Sequence, residues 1–235
     1  MKVMTMSNLI GFSACPRCRK RGNDRTGNNL AEYTENYYCF ACGYNKAKRS
    51  ISRVNDAFSP TIAANVNQLQ TVSQLPRQAI DWLSKYQITP EEMKQFRWCE
   101  DKSLLVLYQS DDYWQGRNFG TPPIPKYLSE GLKPFIRYGT DPDTLVLVED
   151  VLSAIKVGRV YSASPILGSI PLKQHLRHIR PYKNVFLWCD KDAAIKSVRN
   201  ARKLSEMISK PVRPVITDKD PKRYTVNDIK SIIGL

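Results

Sequence analysis

Two cysteine pairs constrain this chain more than any other feature. Cys15 and Cys18 in "CPRC", with Cys39 and Cys42 in "CFAC", form the pattern C-x2-C-x20-C-x2-C. Each pair can make a tight knuckle that aims two thiolates at one centre. Two knuckles complete the tetrahedral four-sulfur shell that zinc favours, with bonds of about 2.3 Å. Gly22 and Gly43 follow the knuckles and allow the turns, and "NNLAEYTENYYCF" alternates well enough for a strand running into the second knuckle. Residues 1–46 therefore read as a zinc ribbon held by Cys15, Cys18, Cys39 and Cys42. Four protein ligands close the shell, so the Zn2+ is structural. Two disulfides would need an oxidising compartment, to which nothing else in the sequence points. Cys99 and Cys189 read as small apolar fillers.

Charge narrows the partners. Among 235 residues, 36 Lys and Arg against 22 Asp and Glu leave a formal charge of +14, the footprint of a polyanion binder, most often nucleic acid. Around the knuckles, Arg17, Arg19, Lys20, Arg21, Arg25, Lys46, Lys48 and Arg49 alternate with Tyr33, Tyr37, Tyr38, Phe40 and Tyr44. Cations that hold phosphates and rings that stack on bases suit a single strand, although some of these rings pad the ribbon's own core. The sequence has no apolar span of membrane length and no recognisable signal peptide, so a cytoplasmic location without membrane association is expected.

Residues 47–72 are polar, weakly periodic and read as a linker or arm. From residue 73 the pattern is that of a packed domain. Residues 73–141 read as a small α+β subdomain: two short helices, the second started by Thr89-Pro90, then a hairpin of Leu104–Gln109 and Tyr113–Phe119. From 142 to 235 apolar runs alternate with helical patterns: "TLVLVED", "VLSAIKVGRV", "SASPILG", "PLKQHLRHIRPY", "NVFLWCD", "AAIKSVRNARKLSEMI", "VRPVIT". That alternation predicts an α/β fold with a parallel sheet flanked by helices. Ile195, Val198, Leu204 and Ile208 are the expected buried stripe of the longest helix.

Polar sites in such sheets gather at the carboxyl ends of the strands. Glu149 ends the first long strand and Asp190 a later one, with Asp192 two residues on. Residues two apart in an extended chain point the same way, so these carboxylates repel unless a cation joins them. Either a metal sits there, or Asp192 caps the next helix beside an exposed Asp190. Glu149 has the corresponding choice between the cluster and a solvated strand end, with Asp150 as cap.

A Glu closing "LVLVED", an Asp-x-Asp in "FLWCDKDAA" and a βαβ framework between them resemble the Toprim domain of bacterial-type primases, type IA and II topoisomerases, nucleases and recombination mediators. With a four-cysteine ribbon in front, the chain is similar to the primase half of phage primase–helicases and to stand-alone phage primases. "GRNFGTPPIPKYLSEG" resembles the Gly-Arg and Pro-Lys-Tyr-Leu segment that precedes Toprim in bacterial primases.

The resemblance implies a DNA primase, a metal-dependent nucleotidyltransferase that makes RNA primers from NTPs on single-stranded DNA. Glu149 would act in proton transfer and metal positioning. Asp190 and Asp192 would bind catalytic Mg2+ or Mn2+, with Asp220 a third ligand or, alternatively, a turn residue before Pro221. Arg117, Lys126, Lys133 and Arg137 would line a basic cleft for template and nucleotide phosphates, each contact adding salt-dependent affinity, with a solvated lysine the alternative for Lys133. No G-x-x-x-x-G-K-[ST] occurs, so a replicative helicase would be a separate chain, in the host cytoplasm if the protein is phage-encoded. Three departures matter: Asp150 stands where the family has Gly, Ala194 where it has Gly, and Lys222 where it has a last acid. They keep open a second class of function, a non-catalytic single-strand-binding accessory factor in replication or recombination.

Overall fold

The computed structural model describes residues 9–24, 27–33, 36–47, 66–120, 125–168, 170–191 and 194–234. The chain divides into two compact units, Met1–Thr61 and Ile62–Leu235.

The first unit is an antiparallel sheet of β1 (Leu9–Ser13), β2 (Leu30–Tyr33), β3 (Asn36–Cys39) and β4 (Asn45–Ala47) in chain order. The one strand expected in "NNLAEYTENYYCF" is two, β2 and β3, paired with Leu30 opposite Cys39. A one-turn helix, α1 (Pro16–Lys20), carries Cys18, with Pro16 in the first turn, where its missing N–H is not needed. Gly22 and Gly43 take φ of 70° and 67° at the ends of the knuckles, the left-handed region that glycine enters without strain. Leu30 and three of the cysteines form the buried core, padded by Tyr37 and Tyr44. Phe40 stays exposed.

The second unit opens with α2 (Arg77–Ser84) and α3 (Pro90–Met93). An antiparallel meander follows: β5 (Arg97–Cys99), β6 (Leu104–Ser110), β7 (Tyr113–Asn118) and β8 (Tyr127–Gly131). Residues 48–65 of the expected arm lie outside the described residues. Residues 66–72 pack on this sheet: Leu69 is buried with Cys99, Leu104 and Trp114, and the Trp114 indole N–H donates to Asn67 O at 3.1 Å.

The rest is βα-alternating, through β9 (Thr144–Val148), α4 (Val151–Gly158), β10 (Ser162–Pro165), α5 (Leu176–Ile179), β11 (Asn184–Trp188), α6 (Ala194–Ile208), β12 (Val212–Pro214) and α7 (Val226–Ile233). The four strands are parallel in the order β10-β9-β11-β12. "PLKQHLRHIRPY" gives only a 3-10 turn and the single turn α5.

Both faces of this sheet are covered, which is why its central strands are unbroken apolar runs. Leu145, Leu147, Val185 and Leu187 pack toward α5 and α6, whereas Val146, Val148, Phe186 and Trp188 pack toward α4 and α7. The buried stripe of α6 runs through Ser197, Ala201, Leu204 and Ile208, and the expected Val198 is 46% exposed. Helix α4 is buried along its first seven residues because it serves two cores. Val151, Leu152 and Ile155 meet the meander's core, while Ala154 and Val157 meet the parallel sheet. Among the described residues no helix is long and apolar enough to cross a membrane.

Candidate active site

In the first unit, the sequence spacing translates directly into geometry. Cys15 Sγ lies 3.6 Å from Cys42 Sγ, and Cys18 Sγ 3.6 Å from Cys39 Sγ. All four sulfurs fall within 4.8 Å of one another, the one such ligand group among the described residues. Sulfurs of a tetrahedral zinc site with bonds of about 2.3 Å stand about 3.8 Å apart, so the cluster fits structural Zn2+. The Asp24 carboxylate accepts from the Cys15 N–H at 2.6 Å and ties the first knuckle to the loop behind it. Burial, with the neighbouring sulfurs, pushes the Cys18 thiol up to about 12, a penalty that a bound cation removes.

In the second unit, register aligns the acids. Val148 pairs with Trp188 as the last rung between β9 and β11. Glu149 and Asp190 therefore leave adjacent central strands at the same edge, and the Asp190 N–H donates to Glu149 Oε2 at 3.5 Å. Asp220 comes to them from the loop after β12: its Oδ1 accepts from the Lys191 N–H at 3.3 Å. Asp192 lies outside the described residues.

Two further groups complete the cluster. Asp150 Oδ1 caps α4 by accepting from the Ser153 N–H at 2.8 Å, the role its position suggested. Its other oxygen takes the Lys222 ammonium at 2.6 Å. That ammonium also lies 3.3 Å from Asp190 Oδ2 and 3.4 Å from Asp220 Oδ2. Burial opposes the charge on Lys222, but Asp150, then Asp190 and Asp220, outweigh it and hold the ammonium protonated far above the usual lysine range.

Asp190 shows the opposite balance. Burial first, then the charges of Asp150, Asp220 and Glu149, push its carboxyl up to about 6 against the pull of Lys222. Its Oδ1 is buried and has no hydrogen-bond partner among the described residues. A dry, unpartnered carboxylate oxygen is costly in a folded chain. Glu149 and Asp220 add hard oxygen donors at the same edge, the donor type that Mg2+ and Mn2+ take, although the described carboxylates do not converge as the four sulfurs do.

Beside the acids stands a wall of rings and cations. The Arg117 guanidinium, from β7, lies 5.4 Å from the Trp82 ring, 5.9 Å from Phe119 and 5.4 Å from Tyr127. Its Nε and Nη1 are buried and unpaired among the described residues. Tyr86 extends the wall, with Lys222 Nζ 5.9 Å and Arg223 Cζ 5.7 Å from its ring. Burial, then the charge of Asp150, pushes the Tyr127 phenol up to about 12, while Arg117 and Lys222 pull the other way. Lys126 is exposed, its Nζ 5.8 Å from the Tyr127 ring.

Lys133 is half-buried and donates to Leu167 O, just past the end of β10, so it approaches the same edge of the sheet. Burial lowers its ammonium. Arg137 does not join this group. It borders a cavity of about 450 Å³ with Phe135, Pro142, Arg177, His178 and Tyr182, and donates to Tyr182 Oη at 3.4 Å. Pro142 and Tyr182 precede β9 and β11, so Arg137 sits at the amino edge, a five-residue strand or on the order of 15 Å from the acids.

The sequence singled out Lys222 only as a missing acid, and Asp150 only as a cap and as a departure from the family's Gly. Tyr86 and Trp82 carried no signal beyond helix periodicity.

No protein-family model matches the sequence, and no curated protein matches it. Among solved structures the chain is similar to the crystal structure of the Aquifex aeolicus primase (zinc-binding and RNA polymerase domains), with a TM-score of 0.53 and 16% identity. The match covers 67% of this chain and 55% of that one, so the chain spans about half the length of that structure. At this identity the likeness is one of fold alone, over the two thirds of the chain that the match covers.

Proposed function

We propose that this chain is a template-directed primase that joins NTPs into short RNA primers on single-stranded DNA, in phage or bacterial replication. The observation that carries the reading is Asp190, whose buried Oδ1 lacks a partner at the strand edge it shares with Glu149. Bound there, Mg2+ or Mn2+ lowers the pKa of an attacking 3′-hydroxyl and offsets charge on departing pyrophosphate. Asp190 and Asp220 would hold the ion, and the sequence pattern would add Asp192. Glu149, positioned by the Asp190 N–H, takes the hydroxyl proton as the new P–O bond forms and the bond to pyrophosphate breaks. In the zinc module, Arg17, Arg19, Lys20 and Arg21 with exposed Phe40 suit a single strand of template.

Arg117 is proposed as the triphosphate anchor, because a phosphate would satisfy the two donors that the fold leaves unpaired. Charged hydrogen bonds of this kind contribute roughly 1.5–3 kcal/mol each. Arg117→Met is therefore expected to weaken NTP binding at least ~10-fold and to raise the Tm of the ligand-free protein. Isothermal titration with a nonhydrolysable NTP and a melting curve check both.

Lys222 lends weight to one competing reading, because an ammonium already neutralises part of the acidic centre. On that reading the chain is an accessory factor that binds single strands without chemistry. Labelled NTPs, Mg2+ and mixed single-stranded templates separate the two. Short template-dependent oligoribonucleotides that vanish in Asp190→Ala are the expected result. No product from either protein, with strand binding unchanged by the substitution, leaves the accessory factor.

A further inference from the structure

Three carboxylates meet at one lysine that takes no part in the proton transfer. Nζ of Lys222 lies 2.6, 3.3 and 3.4 Å from oxygens of Asp150, Asp190 and Asp220. Its side chain is only 10% exposed. It stands on a 3-10 turn, Pro221–Arg223, whose N-cap is Asp220, so one of the three carboxylates comes from the turn that carries the lysine. The Tyr86 ring lies 5.9 Å away. A solvated lysine leaning on a surface acid has none of this.

Charge and geometry give the arrangement a consequence. With Glu149 beside them the carboxylates carry four negative charges, and the ammonium already offsets one of these from within the cluster. Nζ engages Oδ2 of Asp150, Asp190 and Asp220, whereas Asp190 Oδ1 is left without a partner among the described residues. A second divalent ion seated among those Oδ2 atoms, at oxygen distances of about 2.0–2.1 Å, would have to displace Nζ.

We propose that Lys222 is a built-in cation occupying one divalent-ion position of the acidic centre, so that this chain binds a single divalent cation there, on the side of Asp190 Oδ1. The proposal rests on reading the cluster as a metal centre. It also divides the labour. An ammonium has three donors and no bound water to acidify, so it can offset phosphate charge but cannot activate a hydroxyl. Proton removal stays with Glu149 and the Asp190 side of the centre, and the Lys222 side supplies charge alone.

The test counts Mn2+ by electron paramagnetic resonance on the zinc-loaded full chain, in the natural sequence, Lys222→Met and Lys222→Asp. One tightly bound ion in the natural chain and two in each variant are expected, with a larger rise in Tm on adding Mn2+ to the variants. Any other count in the natural chain, or an unchanged count in folded variants, overturns the proposal. Should the variants unfold without metal, refolding on Mn2+ addition supports it and failure to refold counts against it. Primer synthesis is read separately. Counts of one and two without any primer sink the enzyme reading and leave the built-in cation standing, whereas primers made by a chain that binds two ions sink only the cation.

Discussion

Stripping the metal from the first unit, by a strong chelator or by Cys39→Ser, is expected to unfold the four-stranded sheet while the second unit keeps its own melting transition. The buried core of the first unit is Leu30 with three cysteines, and two tyrosines and Cys42 pack against it. A unit of about 60 residues is marginal even with an ordinary apolar core, and the core of this one consists largely of thiols. Structural zinc contributes about 10–16 kcal/mol of apparent binding free energy at neutral pH, and in such modules that is folding free energy. Cys39 Sγ is fully buried, 3.6 Å from Cys18 Sγ, so a serine there removes a soft ligand and strands a hydroxyl. Amide resonances of residues 9–47 should collapse in a two-dimensional NMR spectrum after chelation and return with Zn2+. Retained dispersion would mean that Leu30, Tyr37 and Tyr44 suffice.

Asp190→Asn should abolish primer synthesis and at the same time stabilise the protein at pH 8. A carboxylate whose folded pKa is raised contributes stability that is complete below its unfolded value and lost as pH rises through about 6. Glu149, Asp150 and Asp220 face Asp190 and oppose its ionisation, and Lys222 alone favours it. The amide removes that repulsion and leaves Lys222 with Asp150 and Asp220. Allowing for solvent screening of a partly exposed group, the gain is ~1–2 kcal/mol, or roughly 2–8 °C in Tm for a unit of this size. It should shrink toward zero as the pH is lowered to 4, where both side chains are neutral. Melting curves at pH 4 and 8 provide the check. An equal or lower Tm at pH 8 would mean that Asp190 is not strained and that its exposed side dominates. A gain in stability together with loss of function is the mark of a group kept for chemistry.

Legibility in the sequence followed the range of the interaction. The cysteine spacing was legible because a two-residue gap within each pair already encodes a knuckle. Strands β9 and β11 were legible because burial on both faces writes an uninterrupted apolar run, and Asp190 stands out where that run stops. The stripe of α6 was misread by one position because Ser197, small and polar, is buried, whereas apolar Val198 is not. Periodicity counts apolar residues, not packed ones. Lys222 was opaque for a different reason: its nearest partner, Asp150, is 72 residues away in the chain, brought close only by the return of the loop after β12. Arg137 shows the same limit in reverse. Nearness in sequence to the first parallel strand does not say at which end of the sheet a side chain lies.

Glu92 carries a last consequence. Its Oε2 accepts from the Thr89 N–H at 2.8 Å, closing the capping box of α3, while both its oxygens take Arg159 at 2.8 and 2.6 Å. The same arginine reaches Gln87 O at 2.7 Å, next to the Lys156–Gln87 hydrogen bond of 2.8 Å. One carboxylate thus starts a single-turn helix and also fastens that turn to the helix that begins behind the acidic edge. Natural selection meets these two jobs as one heritable trait. A lineage that drifts at Glu92 loses the cap and the clasp together, and a compensating change at Arg159 alone cannot restore the cap. Among related chains the two positions should therefore drift as a linked pair, with Thr89 trailing them.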